Sequence, residues 1–170
     1  MNAAPLNPSD HGAALDAHSR KQIESALDRY RGHPGPLLQV LHAVQDSLGY
    51  VPPAAVPVIA LALNLSRAEV HGVVTFYHHF RHTPPGRHVV QLCQAEACRA
   101  MHCETLTAHA KQRLGIDFHA TTADGQFTLE PVYCLGNCAC GPSMMLDGEL
   151  HGRVTPEAFD ALIATPVLPQ

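Results

Sequence analysis

The sequence contains no tryptophan and few aromatic residues of any kind. Phenylalanine and tyrosine make up 5% of its 170 residues, and 15 acidic residues outnumber 11 basic ones, which gives a formal net charge of −4. Nucleic-acid binding depends on clustered Lys and Arg at the phosphates or on aromatic rings that stack with bases. The composition therefore excludes a typical nucleic-acid-binding protein.

Long hydrophobic runs are also missing. The longest, residues 56–63, falls far short of the ~20 apolar residues that cross a bilayer. Residues 1–20 lack the basic and apolar segments of a signal peptide. We therefore expect a cytoplasmic protein without direct membrane insertion, in which clustered cysteines more often bind metal or carry out redox chemistry than form structural disulfides.

Several motifs of catalysis are absent. The sequence has no G-x-G-x-x-G, no phosphate-binding loop, no C-x-x-C pair and nothing that resembles a Ser-His-Asp arrangement. Its 13 histidines are mostly scattered, and the pair His71 and His78, which would share a helix face, lacks a third ligand. The sequence therefore predicts no catalytic residues and no second metal site.

All six cysteines, in contrast, lie in two short clusters, CQAEACRAMHC at residues 93–103 and CLGNCACGP at residues 134–142. A [2Fe–2S] cluster needs four thiolates, two for each iron. A C-x4-C pair in the first stretch and a C-x3-C pair in the second supply that number if the fold brings the loops together. The four candidate ligands are Cys93, Cys98, Cys134 and Cys138.

Two questions remain open from spacing alone. Zinc also binds four thiolates, but structural zinc sites usually use C-x2-C pairs, so the wider spacing favours iron–sulfur without excluding zinc. Either Cys138 or Cys140 can supply the fourth thiolate, the other then lying beside the metal without binding it. Cys103 is predicted to be a small buried residue on a helix.

Hydrophobic spacing predicts four short helices before the cysteines. Residues 1–17 are predicted to be a flexible tail, residues 18–82 a small helical bundle, and residues 83–87 a Pro-rich linker. Within the bundle, helices are predicted from about Ser19 to before Gly32, over 36–48, from Pro52 or Pro53 to Leu63, and from Ser66 to about residue 82.

Residues 88–170 have a different pattern, which predicts the order β-α-β-β-β-α. The predicted strands are 88–92, 127–133, 143–146 and 149–154, and the predicted helices are 101–114 and 155–163. Asp147-Gly148 is a strong hairpin signal. Each cysteine loop follows a strand, so we expect both loops at one end of the sheet. The fold class predicted for the whole chain is α/β.

Four stretches together resemble a known family. GYVP at residues 49–52, HGVVTFYHHF at residues 71–80, the C-x4-C loop, and CLGNC with the following Gly141-Pro142 are similar to the 24 kDa-type [2Fe–2S] subunit of complex I and related NAD-linked dehydrogenases. The resemblance implies a helical bundle followed by a thioredoxin-like [2Fe–2S] domain. It also implies that Cys93, Cys98, Cys134 and Cys138 bind the cluster, which favours Cys138 over Cys140.

The resemblance also implies partners. Such proteins dock on a flavoprotein that carries FMN and binds NAD, and they exchange single electrons with its flavin. Residues 55–82 and 128–142 look most like the gamma subunit of soluble molybdenum-containing NAD-dependent formate dehydrogenase, which predicts further iron–sulfur and molybdenum subunits. The equivalent subunits of NAD-reducing hydrogenase and of complex I are the alternatives; a free ferredoxin and a zinc-bound structural subunit are the more remote ones.

Overall fold

The computed structural model describes residues 15–164, which form two compact units that divide after Pro84. Most of the predicted flexible tail therefore lies outside the described residues. No helix within residues 15–164 is long and apolar enough to cross a membrane. The first unit contains four helices: α1 (Ala17–Arg29), α2 (Leu37–Leu48), α3 (Ala55–Leu63) and α4 (Arg67–Phe76).

The core of the first unit forms where the apolar faces of these four helices meet. Ile23 and Ala26, which lie three residues apart on one face of α1, are buried. In α2 the buried residues include Val40, whereas Leu38 is 37% exposed. The other fully buried side chains of this core are those of Leu41, Val44, Val51, Ala55, Ile59 and Val70.

Local signals at the helix ends were largely readable from the sequence. Gly49 and Asn64 end α2 and α3 in the left-handed conformation, which Gly adopts freely and Asn tolerates. Ser66, where the sequence predicted a helix to begin, forms a capping box with Glu69 at the start of α4. The Ser66 hydroxyl accepts from the Glu69 amide, and the Glu69 carboxylate accepts from the Ser66 amide.

Helix α4 is shorter than predicted, ending at Phe76 rather than near residue 82. The reason is a long-range contact. The buried Gln45 side chain donates to the His79 carbonyl (2.8 Å) and accepts from the Arg81 amide (2.7 Å), which holds residues 79–81 in a non-helical conformation. Periodicity within one segment carries no information about such a partner.

The second unit is built on one five-stranded sheet. Its elements are β1 (His88–Cys93), α5 (Glu96–Ala100), α6 (Cys103–Leu114), β2 (Ala120–Thr121), β3 (Phe127–Val132), β4 (Met144–Leu146), β5 (Glu149–His151) and α7 (Pro156–Ala164). The strand order is β2-β3-β1-β4-β5, with β1 and β3 parallel and the other neighbours antiparallel. The chain is thus α/β, as predicted.

The central parallel pair positions the cysteine loops. Cys93, the last residue of β1, is in register with Val132, the last residue of β3. Because the carboxyl ends of parallel strands meet at the same edge, the segments after both strands emerge side by side. The expectation that the two cysteine loops lie at one end of the sheet is confirmed.

Two elements of the second unit were missed. A short helix, α5, precedes the predicted helix, which begins at Cys103 because His102 has a left-handed backbone (φ 60°) that separates the two. The two-residue strand β2 pairs with β3 but is too short to produce a period in the sequence. The Asp147-Gly148 hairpin is confirmed, with strand β5 shorter than predicted.

A buried hydrogen bond between His88 and Asp147 fixes the tip of that hairpin to the central strand β1. His88 Nδ1 lies 2.6 Å from Asp147 Oδ2, and Asp147 Oδ1 accepts from the Val89 amide at 2.8 Å. The His88 side chain is 4% exposed. The hairpin is therefore joined to β1 both by the backbone pairing of β4 with β1 and by the Asp147 side chain in its turn.

Candidate functional site

The first cysteine pair is held on rigid, buried backbone. Cys93 ends β1 and Cys98 lies in α5, so the C-x4-C loop is a strand end followed directly by a helix. Both side chains are buried, and with Cys103 they form a small cluster against which Ala95, Val132 and Leu135 pack.

The second pair is exposed. Cys134 follows β3, and Cys138 begins a short 3-10 turn, Cys138–Cys140. Their sulfur atoms lie 3.8 Å apart. Gly136 between them has a φ of +75°, a conformation that favours glycine, and its amide points at the Cys134 sulfur at 3.3 Å.

The two loops meet at Cys93. Leu135 of the second loop packs against buried Cys93 and Cys98, and its amide, like that of Ala95 in the first loop, lies near the Cys93 sulfur. A Cβ atom at Gly141, just after the second pair, would lie 3.5 Å from the Cys98 sulfur. The fold therefore brings the two predicted pairs of ligands to neighbouring positions, with the Gly136 N–H group aimed at the Cys134 sulfur.

Burial raises the pKa of the Cys93 thiol, an effect that the Ala95 and Leu135 amides partly oppose. The pKa of Cys138 is raised chiefly by its hydrogen bond with Cys134, and that of Cys103 by burial and the nearby Glu104 carboxylate. Metal binding to these thiols would therefore release protons, since a ligating sulfur is a thiolate.

The two remaining cysteines differ in position. Cys103, the first residue of α6, is 2% exposed, as expected for a small buried residue. Cys140 ends the 3-10 turn and is half-buried; its carbonyl accepts from the Arg153 amide at 2.7 Å. Its backbone is thus part of the contact between the second loop and the chain that follows β5.

The donor set fits a [2Fe–2S] cluster. Four thiols in two pairs provide two thiolates for each of two irons, and amide groups near sulfur are a usual feature of such sites. Among residues 15–164, no three His, Cys, Asp or Glu side chains converge on one point as they would around a single ion.

Two residues next to the second loop were missed in the sequence. Ser143 is buried with its hydroxyl near the carbonyls of Asn137 and Cys140, and Gly152 packs against the same two residues. Neither has a ligand-type side chain or a recognisable spacing to the cysteines. Only the register of the hairpin brings them to the loop.

Comparisons with known proteins agree with this geometry. The family model of the thioredoxin-like [2Fe–2S] ferredoxin matches residues 23–166. The E-type subunit of NADH-quinone oxidoreductase from Pseudomonas aeruginosa is 36% identical over 149 residues, covering 88% of this chain and 90% of that protein. Its Escherichia coli counterpart is also 36% identical, over 156 residues, covering 92% and 94%.

Among solved structures, an air-oxidised NAD⁺-reducing [NiFe]-hydrogenase matches with a TM-score of 0.64 and 25% identity. The match covers 76% of this chain and 22% of the hydrogenase chain. A [2Fe–2S] cluster is thus indicated as the cofactor, and the second unit has the thioredoxin-like fold. With the family model extending across both units, the chain belongs to the thioredoxin-like [2Fe–2S] ferredoxin family, as a relative of the 24 kDa-type subunits.

Proposed function

We propose that this protein is the electron-transfer subunit of an NAD-linked oxidoreductase complex, in which it carries one electron at a time and catalyses no reaction by itself. The proposed ligands are Cys93, Cys98, Cys134 and Cys138. The observation that supports it most directly is the meeting of two cysteine loops at one sheet edge, where Leu135 of one loop packs against buried Cys93 and Cys98 of the other.

The cluster, when bound, supplies a reversible one-electron couple. The residues of this chain hold it and tune it. Buried Cys93 and Cys98 provide an apolar side, while exposed Cys134 and Cys138 provide a side open to solvent. Amide N–H groups, such as that of Gly136 at 3.3 Å from the Cys134 sulfur, stabilise negative charge on sulfur and so raise the reduction potential.

The proposed partner is a flavoprotein that carries FMN and binds NAD. Homologues of this chain are named as subunits of NADH-quinone oxidoreductase, and the hydrogenase that shares its fold is named as NAD⁺-reducing. Both names connect proteins similar to this chain with NAD-linked electron transfer. In the proposed complex, the flavin would exchange single electrons with the cluster.

The parent complex is the finer part of the proposal. Residues 55–82 and 128–142 predict the gamma subunit of an NAD-dependent formate dehydrogenase, with molybdenum and further iron–sulfur subunits. The compared relatives support the equivalent subunit of NADH-quinone oxidoreductase instead, which is one of the two alternatives. Purifying the native complex and measuring NAD reduction with formate or hydrogen, and NADH oxidation with a quinone, would separate the three. Formate-dependent NAD reduction is the result that the two stretches predict.

The electron-transfer role is tested on the isolated chain. We would purify it anaerobically, reconstitute it with iron and sulfide, and record visible absorption, metal content and the EPR spectrum before and after dithionite. Two irons and two sulfides per chain, with an EPR signal that appears on reduction, are expected. A colourless protein that retains one zinc and takes up no cluster would overturn the proposal.

A further inference from the structure

The residues that flank the β4–β5 hairpin, Ser143 and Gly152, both contact the second cysteine loop. Ser143, immediately before β4, is 2% exposed. Its hydroxyl lies 3.4 Å from the Asn137 carbonyl and 3.3 Å from the Cys140 carbonyl, to either of which it can donate. Its own carbonyl accepts from the Cys93 amide at 3.0 Å. One buried residue thus contacts the backbone of both cysteine loops.

Gly152, immediately after β5, packs closely against the second cysteine loop from the other strand of the hairpin. A Cβ atom at this position would lie 2.6 Å from Asn137 Nδ2, 2.8 Å from Cys140 Cβ and 2.9 Å from the Cys140 carbonyl oxygen. No side chain fits there without displacing the loop. The next residue, Arg153, donates its amide to the Cys140 carbonyl at 2.7 Å, and Val154 donates to Pro142 at 3.0 Å.

The hairpin that carries these contacts is itself fixed. Its tip is joined to β1 by the buried His88–Asp147 contact and by the bond from the Asp147 amide to the Val89 carbonyl (3.1 Å). Strand β4 pairs with β1 along the ladder from Val90 to Leu92. Because β1 ends in Cys93, the hairpin and the first cysteine pair belong to one rigid frame.

From these contacts we propose that Ser143 and Gly152 are positioning residues for the cluster. They hold the backbone of residues 137–140 against the hairpin, and thereby set the place of Cys138 relative to Cys93. This inference rests on the proposed ligand set. Neither residue has a ligand-type side chain; each contacts the loop that carries a proposed ligand, so its loss alters the geometry and environment of the sulfur atoms.

The test compares two variants with two matched controls in the full-length, cluster-loaded protein. Ser143→Ala removes a buried hydroxyl beside the loop, and its control Thr128→Val removes a buried hydroxyl near the other end of β3. Gly152→Ala crowds the loop. Its control Gly86→Ala brings a Cβ within 2.9 Å of the Gly125 carbonyl, in the same unit but at the sheet end away from the cysteines.

The readouts are the EPR spectrum, the reduction potential, and the rate at which a chelator removes iron. Groups that orient ligands typically change metal affinity by about 10–100-fold. We therefore expect Ser143→Ala and Gly152→Ala to lose iron at least about tenfold faster than wild type, with altered EPR line shape and potential. Both controls should keep the wild-type spectrum and potential, whatever they cost in stability.

Two results would overturn the inference. One is a wild-type spectrum, potential and chelation rate in both Ser143→Ala and Gly152→Ala. The other is an equal change in all four variants, which would reflect general destabilisation. If circular dichroism shows that Gly152→Ala does not fold, Ser143→Ala and its control decide the matter by themselves.

A failure of the proposed function has a different signature, since wild type itself would then bind no cluster. The inference is in that case decided in the metal-free protein by amide hydrogen exchange. Faster exchange at Arg153 and Cys140 in Ser143→Ala than in wild type, without a change at Val89, is the expected result. Unchanged exchange at both amides would overturn the positioning role.

Discussion

At the scale of the residue, the six cysteines differ in their surroundings more than in their spacing. Cys93, Cys98 and Cys103 are buried together, Cys134 and Cys138 are exposed, and Cys140 is half-buried. Spacing left Cys138 and Cys140 as alternatives for the fourth ligand. The structure brings the Cys138 sulfur to 3.8 Å from that of Cys134, which favours Cys138 in the proposed set.

Single alanine substitutions test that choice. We expect Cys138→Ala to abolish the reduced EPR signal and to lower the iron content, because one iron loses a thiolate. Cys140→Ala should retain two irons per chain, since it keeps the Cβ atom and the backbone contact with Arg153. Iron and sulfide assays after identical reconstitution measure both. Full cluster content in Cys138→Ala together with loss in Cys140→Ala would reverse the assignment.

The buried contact between His88 and Asp147 gives a prediction about stability. Asp147→Ala leaves the His88 ring and the Val89 amide without their acceptor and places alanine at a φ of 51°. We expect a loss of about 2–3 kcal/mol in the free energy of unfolding, measured by urea denaturation.

The matched control for that change is Asp160→Ala. Asp160 is 41% exposed and pairs with His109 and Arg113, and exposed ion pairs contribute less than about 1 kcal/mol. An equal loss in the two variants would show that burial of the His88 contact adds nothing.

Residues of these two kinds differ in how far a sequence reveals them. Cysteines are recognised by type and spacing, so four candidate ligands could be named at once. Gln45, Ser143 and Gly152 could not, because each acts on residues distant in sequence through a backbone contact. Their side chains carry no pattern that identifies the partner.

At the scale of the element, the local signals were reliable where the determinants lie within four residues. The capping box of α4 and the turn of the β4–β5 hairpin are examples. Predictions failed where a distant group decides, as when Gln45 ends α4 early, or where a single left-handed residue, His102, divides one predicted helix into two.

The capping box supplies a prediction at this scale. Ser66→Ala should destabilise the protein by about 1 kcal/mol, because the Glu69 amide at the start of α4 loses its acceptor. Thermal unfolding monitored by circular dichroism measures the change. Ser47→Ala, which removes an exposed hydroxyl within α2, is the control and should have a smaller effect.

The same box has a predicted pH dependence. Its hydrogen bonds from Ser66 lower the pKa of Glu69 below 4.5. When folding lowers the pKa of a carboxylate, its full contribution to protein stability is present above the pKa of the unfolded state. That contribution is lost as the pH falls through the pKa of the folded state. Glu69→Gln should thus be less stable than wild type at neutral pH, with a difference that shrinks below pH 4.5. A difference that is the same at neutral and acid pH would contradict this.

At the scale of the whole molecule, each compact unit has its own hydrophobic core, and all six cysteines lie in the second. A chain of residues 83–170 is therefore expected to bind the cluster. If the helical unit docks on the flavoprotein, this shortened chain will no longer co-purify with it. Co-expression of each form with the flavoprotein, followed by affinity purification, makes the comparison; retained binding would remove the docking role.

Because one thiol pair is buried and the other is exposed, the site has one closed side and one side open to solvent. Anything that reaches the cluster, an electron donor or molecular oxygen, would approach from the side of Cys134 and Cys138. A flavoprotein bound on that side would shorten the distance over which the electron moves. It would also shield the cluster from oxygen, so assembly of the complex would protect the cluster. The isolated protein should then bleach in air faster than the assembled complex, and equal rates would show that the partner sits elsewhere.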